Sequence, residues 1–444
     1  MTEKTTVTRP FLPLKEEFLK KISEIFDTGV LTNQGPQVSA LQEKLKSFLG
    51  VENFHYVTNG TVALQLALKA LGIESGEVIT TPFSYVATTS SILWERCKPV
   101  FVDIEPKNFT LDPAKIEAAI TPETKAIMPV HVFGYACDVD AIRKIADRHG
   151  LKVIYDAAHA FASVYKGKAL ASYGDIATLS FHATKLFHTI EGGACVVKEK
   201  SVSDDLDLIK RFGHDGDSHC MLGINAKQDE FNAAMGLVNF GHLKEIIAAR
   251  RHICELYDSL LENRLQRPAK QPDLEYNYAY YPVIFKSEKD LLSAFKRLAE
   301  NNVFPRRYFY PSLNTLPYLN ERYSCPVSED ISSRIACLPL YVGLKDEDVK
   351  NICRILKDLS AVFQRENMGS FVFAPDIIRH KPDRRGFHRF PVFAVESAAD
   401  FFFPHEGFPF TLDQDIRMEF PDQHGRHFLP VRQSLQFTHP LVLK

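Results

Sequence analysis

Three short segments of the sequence carry residue types that together suit one kind of chemistry. Lys185 follows an apolar strand candidate, and a largely apolar setting there would lower the pKa of its amine toward the range that imine formation needs. Asp156 ends another strand candidate, where a buried carboxylate needs a partner such as a protonated heterocyclic nitrogen. Gly60 and Thr61 begin an apolar-periodic helix, whose N-terminal amides and hydroxyl group bind phosphate well.

Each of these residues also has an ordinary explanation when it is taken alone. Lys185 is then a surface lysine on a loop, Asp156 caps a helix or a turn, and residues 58–64 are a helix N-cap. The three segments support one another, because a phosphate cradle, an acid for a protonated ring nitrogen and an imine-forming lysine form one site. The combination therefore favours a cofactor site over three unrelated features.

The elements that hold these residues alternate between strand and helix. From about residue 56 to 200, short β-branched runs alternate with amphipathic stretches such as Val62–Leu71 and Val139–His149. This alternation predicts a mostly parallel α/β sheet covered by helices, with the ligand outside the carboxyl ends of the strands. The strand candidates are Glu77–Thr80, Val100–Ile104, Ala126–Val132, Lys152–Asp156, Ile176–Phe181 and Ala194–Val197.

The rest of the chain differs from this large domain, which we assign to residues 1–240 with their N-terminal segment. Residues 241–364 are predicted to form a smaller α+β domain; its elements are a helix over His242–Asn263, an aromatic strand over 276–285, and helices near Glu288–Asn301 and Lys345–Phe363. Residues 365–444 hold 13 of the 33 phenylalanines and six of the 16 histidines but two lysines. Their role is unknown from the sequence, and we expect them to be dispensable for catalysis.

Charge and composition exclude several classes of function. Lys and Arg number 53 against 55 Asp and Glu, so no basic excess predicts a nucleic-acid partner. No apolar run reaches the roughly 18–20 residues of a membrane helix, and the N-terminus lacks the apolar core of a signal peptide. The eight cysteines form no CxxC pair, which argues against zinc and disulfides and predicts the cytoplasm; histidines 424 and 427 have no metal-ligand company.

The order and spacing of the motifs resemble the DegT/StrS family of sugar-nucleotide aminotransferases, which are fold-type-I enzymes dependent on pyridoxal 5′-phosphate. The resemblance runs from about Leu31 to Leu359. Its motifs are LTNQGP (31–36), TNGT (58–61), TPFSYVAT (81–88), PVHVFG (129–134), DAAH (156–159), SFHATK (180–185), EGGA (191–194) and GINAK (223–227).

The resemblance implies a role for each matching residue. Lys185 would hold the cofactor covalently and then move protons, and Asp156 would stabilise the protonated pyridine nitrogen. Tyr85 would stack on the cofactor ring, and His159 would face its ring hydroxyl. Its phosphate would be held by Gly60, Thr61 and Ser180. Asn225 would reach that phosphate from the neighbouring subunit, which implies a homodimer with shared sites.

The resemblance also implies the substrates. Residues 180–193 and 223–227 are similar to the branch that aminates dTDP-4-keto-6-deoxyglucose to dTDP-4-amino-4,6-dideoxyglucose, with glutamate as the amino donor, for surface polysaccharide (O-antigen) or glycoside biosynthesis. A 3-keto-sugar aminotransferase, a sugar dehydratase and a non-enzymatic regulator on the same scaffold remain alternatives. Lys185 argues against the dehydratase, whose relatives commonly carry histidine there, and the sequence has no basic appendage of the kind expected of a regulator.

Overall fold

Strands and helices alternate through the first half of the chain, as the sequence pattern predicts. The computed structural model describes residues 4–262 and 264–369. Its strands are β1 (Thr5–Thr6), β2 (Asn53–Val57), β3 (Glu77–Thr80), β4 (Lys98–Phe101), β5 (Thr124–Met128), β6 (Lys152–Asp156), β7 (Val164–Tyr165), β8 (Lys168–Ala169), β9 (Ile176–Ser180), β10 (Gly193–Val197), β11 (His214–Asp215), β12 (Ser218–His219), β13 (Leu274–Glu275), β14 (Pro282–Ile284), β15 (Val303–Phe304) and β16 (Ile335–Cys337).

The helices begin and end at residues suited to those positions. Asn59 and Asp138 cap α3 and α5 by accepting a backbone N–H, and Gly150 ends α5 in the left-handed region. The helices are α1 (Lys15–Thr28), α2 (Pro36–Leu49), α3 (Gly60–Ala70), α4 (Ala87–Trp94), α5 (Val139–His149), α6 (Lys200–Ile209), α7 (Glu230–Gly241), α8 (Leu243–Leu261), α9 (Glu288–Ala299), α10 (Pro326–Arg334) and α11 (Asp346–Gly369), with short 3-10 turns at Pro113–Lys115, Glu117–Ala119, Val132–Gly134, Leu170–Ser172 and Leu313–Thr315.

One seven-stranded sheet carries the large part of the fold. Its strand order is β2-β10-β9-β6-β5-β3-β4. Strand β10 is antiparallel to its neighbours β2 and β9, and the other six strands all run in the same direction. The carboxyl ends of the other six strands therefore lie at the same edge, together with the start of β10. Asp156 ends β6 and Ser180 ends β9 at this edge, and β2 leads directly into the turn before α3. The predicted mostly parallel α/β sheet is confirmed.

Both faces of this sheet are buried, which is why its strands read as continuous apolar runs. Ile79 and Val153 pack in one cluster with side chains of α2, α5 and α7. Their neighbours Val78 and Ile154 point to the opposite face and pack with α3, α4 and α6. Helix layers on both sides leave the strand ends as the open place where a ligand can enter.

The predicted strands all occur, with changes at their ends. β3 and β6 have the predicted bounds, whereas β4 and β5 begin two residues earlier than predicted and end three and four residues earlier, respectively. β2 was not predicted as a strand. The change at β5 has a physical reason. Beyond Met128 the chain keeps a single bridge, between Val130 and Asp156, and then turns at Val132–Gly134, where Phe133 takes a left-handed φ of 55°.

The region after α7 has its own core. Ile253 and Tyr257 of α8 pack with Val283 of β14, Leu298 of α9 and Ile352 of α11. α8 was predicted and is present. We propose on this basis that the smaller domain begins near residue 241, as the sequence suggests.

Two predictions in this region need correction or extension. The predicted aromatic strand over 276–285 is wrong for its first part, because residues 276–281 form no strand and Tyr278 takes a left-handed φ of 56°. α11 continues to Gly369, beyond the predicted end of the smaller domain at Gln364. From residue 370 the predicted tail 365–444, including histidines 424 and 427, lies outside the described residues. Among those that are described, no helix is both long and apolar enough to cross a bilayer.

Candidate active site

A cavity of about 620 Å³ opens at the carboxyl edge of the sheet. Seven of the eight residues singled out from the sequence line it: Gly60, Thr61, Tyr85, Asp156, His159, Ser180 and Lys185. The eighth, Asn225, lies outside the cavity of its own chain, where it is exposed and its amide oxygen accepts a hydrogen bond from Lys227 at 2.8 Å. One chain thus brings together all of the predicted site except Asn225.

The start of α3 forms one end of the cavity. The Asn59 side chain caps the helix by accepting from the Val62 amide at 2.9 Å. Gly60 lies so close to β9 that a Cβ atom on it would come within 2.9 Å of the Ser180 Cβ. Gly193 is equally constrained, since its Cβ would meet the Asn59 carbonyl at 2.4 Å. The two glycines therefore let a helix N-terminus lie against two strand ends, and this geometry suits a phosphate group.

Asp156 is buried, with 5% of its surface exposed, and its carboxylate oxygens have defined donors. The Thr88 hydroxyl donates to Oδ2 at 2.7 Å, and the Ala158 amide donates to Oδ1 at 3.1 Å. Burial raises the pKa of Asp156, while these two donors and the charge of Lys185 act in the opposite direction. A cation placed against this carboxylate would offset the cost of burying its charge.

Lys185 is half-buried and faces the same cavity. Loss of water around its ammonium group lowers the pKa of Lys185 to about 8, although the nearby Asp156 and Tyr85 act to raise it. Lys185 does lie on the loop after β9, but the ordinary alternative of a solvated surface lysine does not fit its position in the cavity. An amine with this pKa reaches its free, nucleophilic form far more readily near neutral pH than an ordinary lysine.

His159 is held as a neutral imidazole in one orientation. Its Nδ1 accepts from the Phe133 amide at 3.2 Å, so the proton of the neutral ring is on Nε2. Burial keeps the pKa of His159 well below its usual value, and the charge of Lys185 lowers it further. The ring lies nearly parallel to those of Phe309, at a centroid distance of 5.5 Å, and Phe133, at 6.4 Å, and these two rings also contact each other at 5.7 Å. His159 therefore offers a fixed N–H donor and no charge.

Residues that follow α8 in the chain supply a wall of the cavity that the sequence did not reveal. Tyr280, Arg306, Tyr308 and Phe309 line it. The sequence pattern predicts that the tyrosines of 276–281 are strand aromatics that only pack. This prediction is wrong for Tyr280, because its hydroxyl accepts a hydrogen bond from the Lys185 ammonium at 3.4 Å. Three residues of the basic and aromatic stretch 306–311 therefore face the cavity.

Two other features of the sequence can now be located. Thr88 was not singled out, although it follows Tyr85 by about one turn at the start of α4, and that spacing could have revealed it. His182 lines the cavity near Glu191, at a nitrogen–oxygen distance of 3.5 Å. His188 is buried away from the cavity, where its Nε2 donates to the Phe11 carbonyl at 2.7 Å.

Comparison with known proteins agrees with this arrangement. The model of the DegT/DnrJ/EryC1/StrS aminotransferase family matches residues 13–357. The chain belongs to this aminotransferase family. It is a pyridoxal 5′-phosphate-dependent transferase with the α/β fold of the solved sugar aminotransferases.

Individual relatives are similar over nearly their whole length. The dTDP-4-amino-4,6-dideoxy-D-glucose transaminase of Shigella dysenteriae is 40% identical over 361 residues, which cover 80% of this chain and 98% of that protein. The transaminase of the same name from Escherichia coli is 40% identical over 370 residues, covering 80% and 99%. The crystal structure of DesI in the presence of its TDP-sugar product matches with a TM-score of 0.78 at 30% identity, covering 83% of this chain and 96% of that one.

The cavity of this aminotransferase fits its cofactor. Bound pyridoxal 5′-phosphate supplies an aldehyde for an amine and a protonated ring that withdraws electrons. An amine of lowered pKa, a buried carboxylate and a glycine-lined helix N-terminus face one space in this chain. These are the groups that an aldehyde, a ring nitrogen and a phosphate respectively require.

Replacement of Asp156 by asparagine tests the part played by the buried carboxylate. Asparagine has nearly the same shape but no charge, so it cannot stabilise a cation in the cavity. We expect turnover in Asp156→Asn to fall on the order of 100-fold or more, as for the loss of a preorganised electrostatic group. Steady-state aminotransfer rates measure the loss, and circular dichroism verifies the fold; near-normal turnover would remove Asp156 from the mechanism.

Thr88 provides a graded control for this experiment. Thr88→Val removes the hydroxyl that donates to Asp156 and keeps the shape, so we expect a loss of only about tenfold, the value of one hydrogen bond. Thr88→Ser keeps the hydroxyl and should restore most of the rate. A valine variant as impaired as Asp156→Asn would show that Thr88 acts in some other way.

Proposed function

We propose that this enzyme transfers an amino group from glutamate to dTDP-4-keto-6-deoxyglucose and forms dTDP-4-amino-4,6-dideoxyglucose. The observation that carries the proposal is the 40% identity to two transaminases named for this product, over 98% and 99% of their length. The product belongs to deoxysugar biosynthesis for surface polysaccharides or glycosides. We place the enzyme in the cytoplasm; in support, none of its eight cysteines is paired and seven are buried.

In this proposal Lys185 and Asp156 carry out the central chemistry. Lys185 would hold the cofactor by condensing its amine with the aldehyde, with loss of water, and its free amine would accept the proton that leaves the amino-donor carbon. Its pKa of about 8 supports both tasks, because the amine can release and regain a proton near neutral pH. Asp156 keeps the ring nitrogen protonated, and its burial strengthens that interaction by excluding water.

The other predicted residues hold the cofactor in place. Gly60, Thr61 and Ser180 bind its phosphate at the start of α3, and Tyr85 stacks on its ring. His159 donates its Nε2–H to the ring hydroxyl. The tautomer of His159 supports this role, since the Phe133 amide occupies the opposite nitrogen of the imidazole.

Arg306 is suited to an anionic part of the substrates. It lines the cavity from the smaller domain, it is exposed, and its guanidinium carries a permanent charge. Both substrates are anionic, since glutamate has two carboxylates and the sugar nucleotide has a diphosphate. We propose that Arg306 binds one of these groups when the substrate enters.

The position of amination separates the leading proposal from its nearest alternative. We expect the enzyme to convert dTDP-4-keto-6-deoxyglucose and glutamate into a product with nitrogen on C4, because of its similarity to the two transaminases. NMR of the isolated product locates the nitrogen, and incubation with the 3-keto isomer is the matched control. A 3-amino sugar formed from the 3-keto isomer, without reaction of the 4-keto sugar, would replace this proposal by the 3-keto alternative.

We also propose that two chains share each active site. Asn225 is exposed in its own chain, and apolar side chains of the same loop are exposed beside it, namely Phe212, Leu222 and Ile224. Tyr85, at the cavity itself, is 59% exposed. A second copy that covers these apolar groups and brings its Asn225 to the cofactor phosphate would account for both features.

Mixed dimers test the sharing of sites. Lys185→Ala and Asn225→Ala chains each lack one part, but a heterodimer contains one site with both residues intact. After subunit exchange we therefore expect about a quarter of the sites to recover, since half of the dimers are mixed and each has one intact site. Recovered turnover is compared with that of each variant alone. No recovery after exchange confirmed by native mass spectrometry would contradict shared sites.

Finally, we propose that the C-terminal segment is not needed for the reaction. The residues of the cavity wall end at Phe309, and α11 closes the core of the smaller domain. We expect a chain that ends at Gly369, where α11 ends, to keep its turnover number and cofactor content. Absorbance of the bound cofactor and steady-state rates check this. If the shortened chain folds and dimerises but is inactive, the segment belongs to the site.

A further inference from the structure

The hydroxyl of Tyr280 is the polar group that the smaller domain brings to Lys185. The Lys185 Nζ donates to this hydroxyl at 3.4 Å, across the cavity that both residues line. The distance is at the long end for a hydrogen bond, as is common for catalytic groups before the substrate binds. Tyr280 thus contacts the nitrogen atom that reacts.

The backbone that carries Tyr280 is fixed by the buried side chain of Arg250. From α8, Arg250 Nε donates to the Tyr278 carbonyl at 2.9 Å and Nη2 donates to the Ala279 carbonyl at 2.6 Å. Two charge-assisted hydrogen bonds to consecutive carbonyls hold residues 278–279 firmly. Burying the Arg250 guanidinium costs free energy, which its hydrogen bonds to the two carbonyls help to offset. The buried side chain therefore fixes the backbone of this segment, which a surface arginine would not do.

Asn277 and Tyr276 attach the same segment to the large domain. The Asn277 amide donates to the carbonyls of His159 and Phe161, both at 2.8 Å, and its oxygen accepts from the Ala279 amide. The Tyr276 hydroxyl lies 2.9 Å from the Tyr280 carbonyl and 3.0 Å from the Phe133 carbonyl. The irregular segment is therefore anchored before Tyr280 by these contacts and after it by the Leu338 amide, which donates to the Tyr281 carbonyl at 3.0 Å.

The ring of Tyr280 is held by aromatic contacts as well. It meets the His159 ring edge-on at a centroid distance of 4.9 Å, and it lies 5.6 Å from Phe133 and 6.0 Å from Tyr308. Such contacts leave a phenol ring little freedom to move. The hydroxyl is consequently fixed in space relative to Lys185, while the lysine side chain has four rotatable bonds.

We propose that Tyr280 is a positioning residue for Lys185: its hydroxyl holds the lysine nitrogen in the cavity whenever that nitrogen is not bonded to the cofactor. This inference rests on the proposed function, in which Lys185 is released and must return. A phenol suits the task because its oxygen accepts from an ammonium group and its O–H donates to a free amine. Burial raises the pKa of Tyr280, so the phenol stays neutral throughout.

The first test measures Lys185 itself and needs no turnover. In the full-length enzyme freed of cofactor, acetic anhydride labels Lys185 only in its free-amine form, and mass spectrometry of its peptide against pH yields the pKa. A hydrogen bond to an ammonium group is stronger than one to a neutral amine. Tyr280→Phe should therefore lower the pKa of Lys185 by about half to one pH unit.

The second test measures the reaction and uses a matched control. With cofactor bound, we expect Tyr280→Phe to reduce kcat about tenfold and to leave KM for the keto sugar nearly unchanged. The limb of the pH–rate profile that reports the ionisation of Lys185 should shift to lower pH. Tyr278→Phe removes a hydroxyl from the same segment outside the cavity, so it should change neither the profile nor the pKa of Lys185.

The outcomes separate this inference from the proposed function. A Tyr280→Phe enzyme with the wild-type pKa of Lys185 overturns the inference, even if kcat falls, because the hydroxyl then acts only through packing. Equal shifts in Tyr280→Phe and Tyr278→Phe overturn it as well. A lowered pKa in Tyr280→Phe alone supports it, and this result stands even if the wild-type enzyme proves to aminate a different sugar.

Discussion

The chemistry of this protein depends on removing one carboxylate and one amine from water in the same cavity. Burial raises the pKa of Asp156 and lowers that of Lys185 to about 8, so both groups are drawn toward their neutral forms. Near neutral pH, Lys185 is therefore present as a free amine far more often than an ordinary lysine. The two donors on Asp156 act against this rise in its pKa, because they stabilise the charged carboxylate.

The reversed strand β10 helps to make this cavity possible. Because it runs against β9 and β2, its start lies at the edge where the neighbouring strands end. Gly193 at that start lies against the Asn59 carbonyl, so the beginning of α3 packs directly against the ends of β9 and β10. A side chain at this position would push the helix outward. The dense packing of the sheet edge therefore sets the place of the proposed phosphate site relative to Asp156 and Lys185.

The sequence predicts the parts of the site that follow regular elements. Asp156 and Ser180 end strands whose apolar runs are plain, and Gly60 begins a periodic helix, so sheet geometry alone brings them to one edge. Tyr280 could not be found in this way. The spacing of the tyrosines in 276–281 imitates strand alternation. The hydrogen bonds that hold this segment in another conformation come from Arg250 on α8, and local sequence pattern does not show that contact. The contact proposed for Asn225 does not form within one chain, because its partner would be the cofactor phosphate of another chain.

The cavity has two walls, one formed at the edge of the sheet and one formed by segments without regular structure. Of the proposed cofactor-holding groups, Asp156 and Ser180 lie at strand ends and Gly60 and Thr61 at a helix start, where the buried sheet fixes their positions, and Lys185 follows in the loop after β9. The facing wall comes from segments without regular structure in the smaller domain, carrying Tyr280, Arg306 and Phe309. Side chains in such segments can change without disturbing the sheet. Discrimination between keto sugars would then be set mainly on this second wall, while the groups common to every amino transfer stay on the first. Because Tyr280 belongs to the second wall and contacts Lys185 on the first, it links the two.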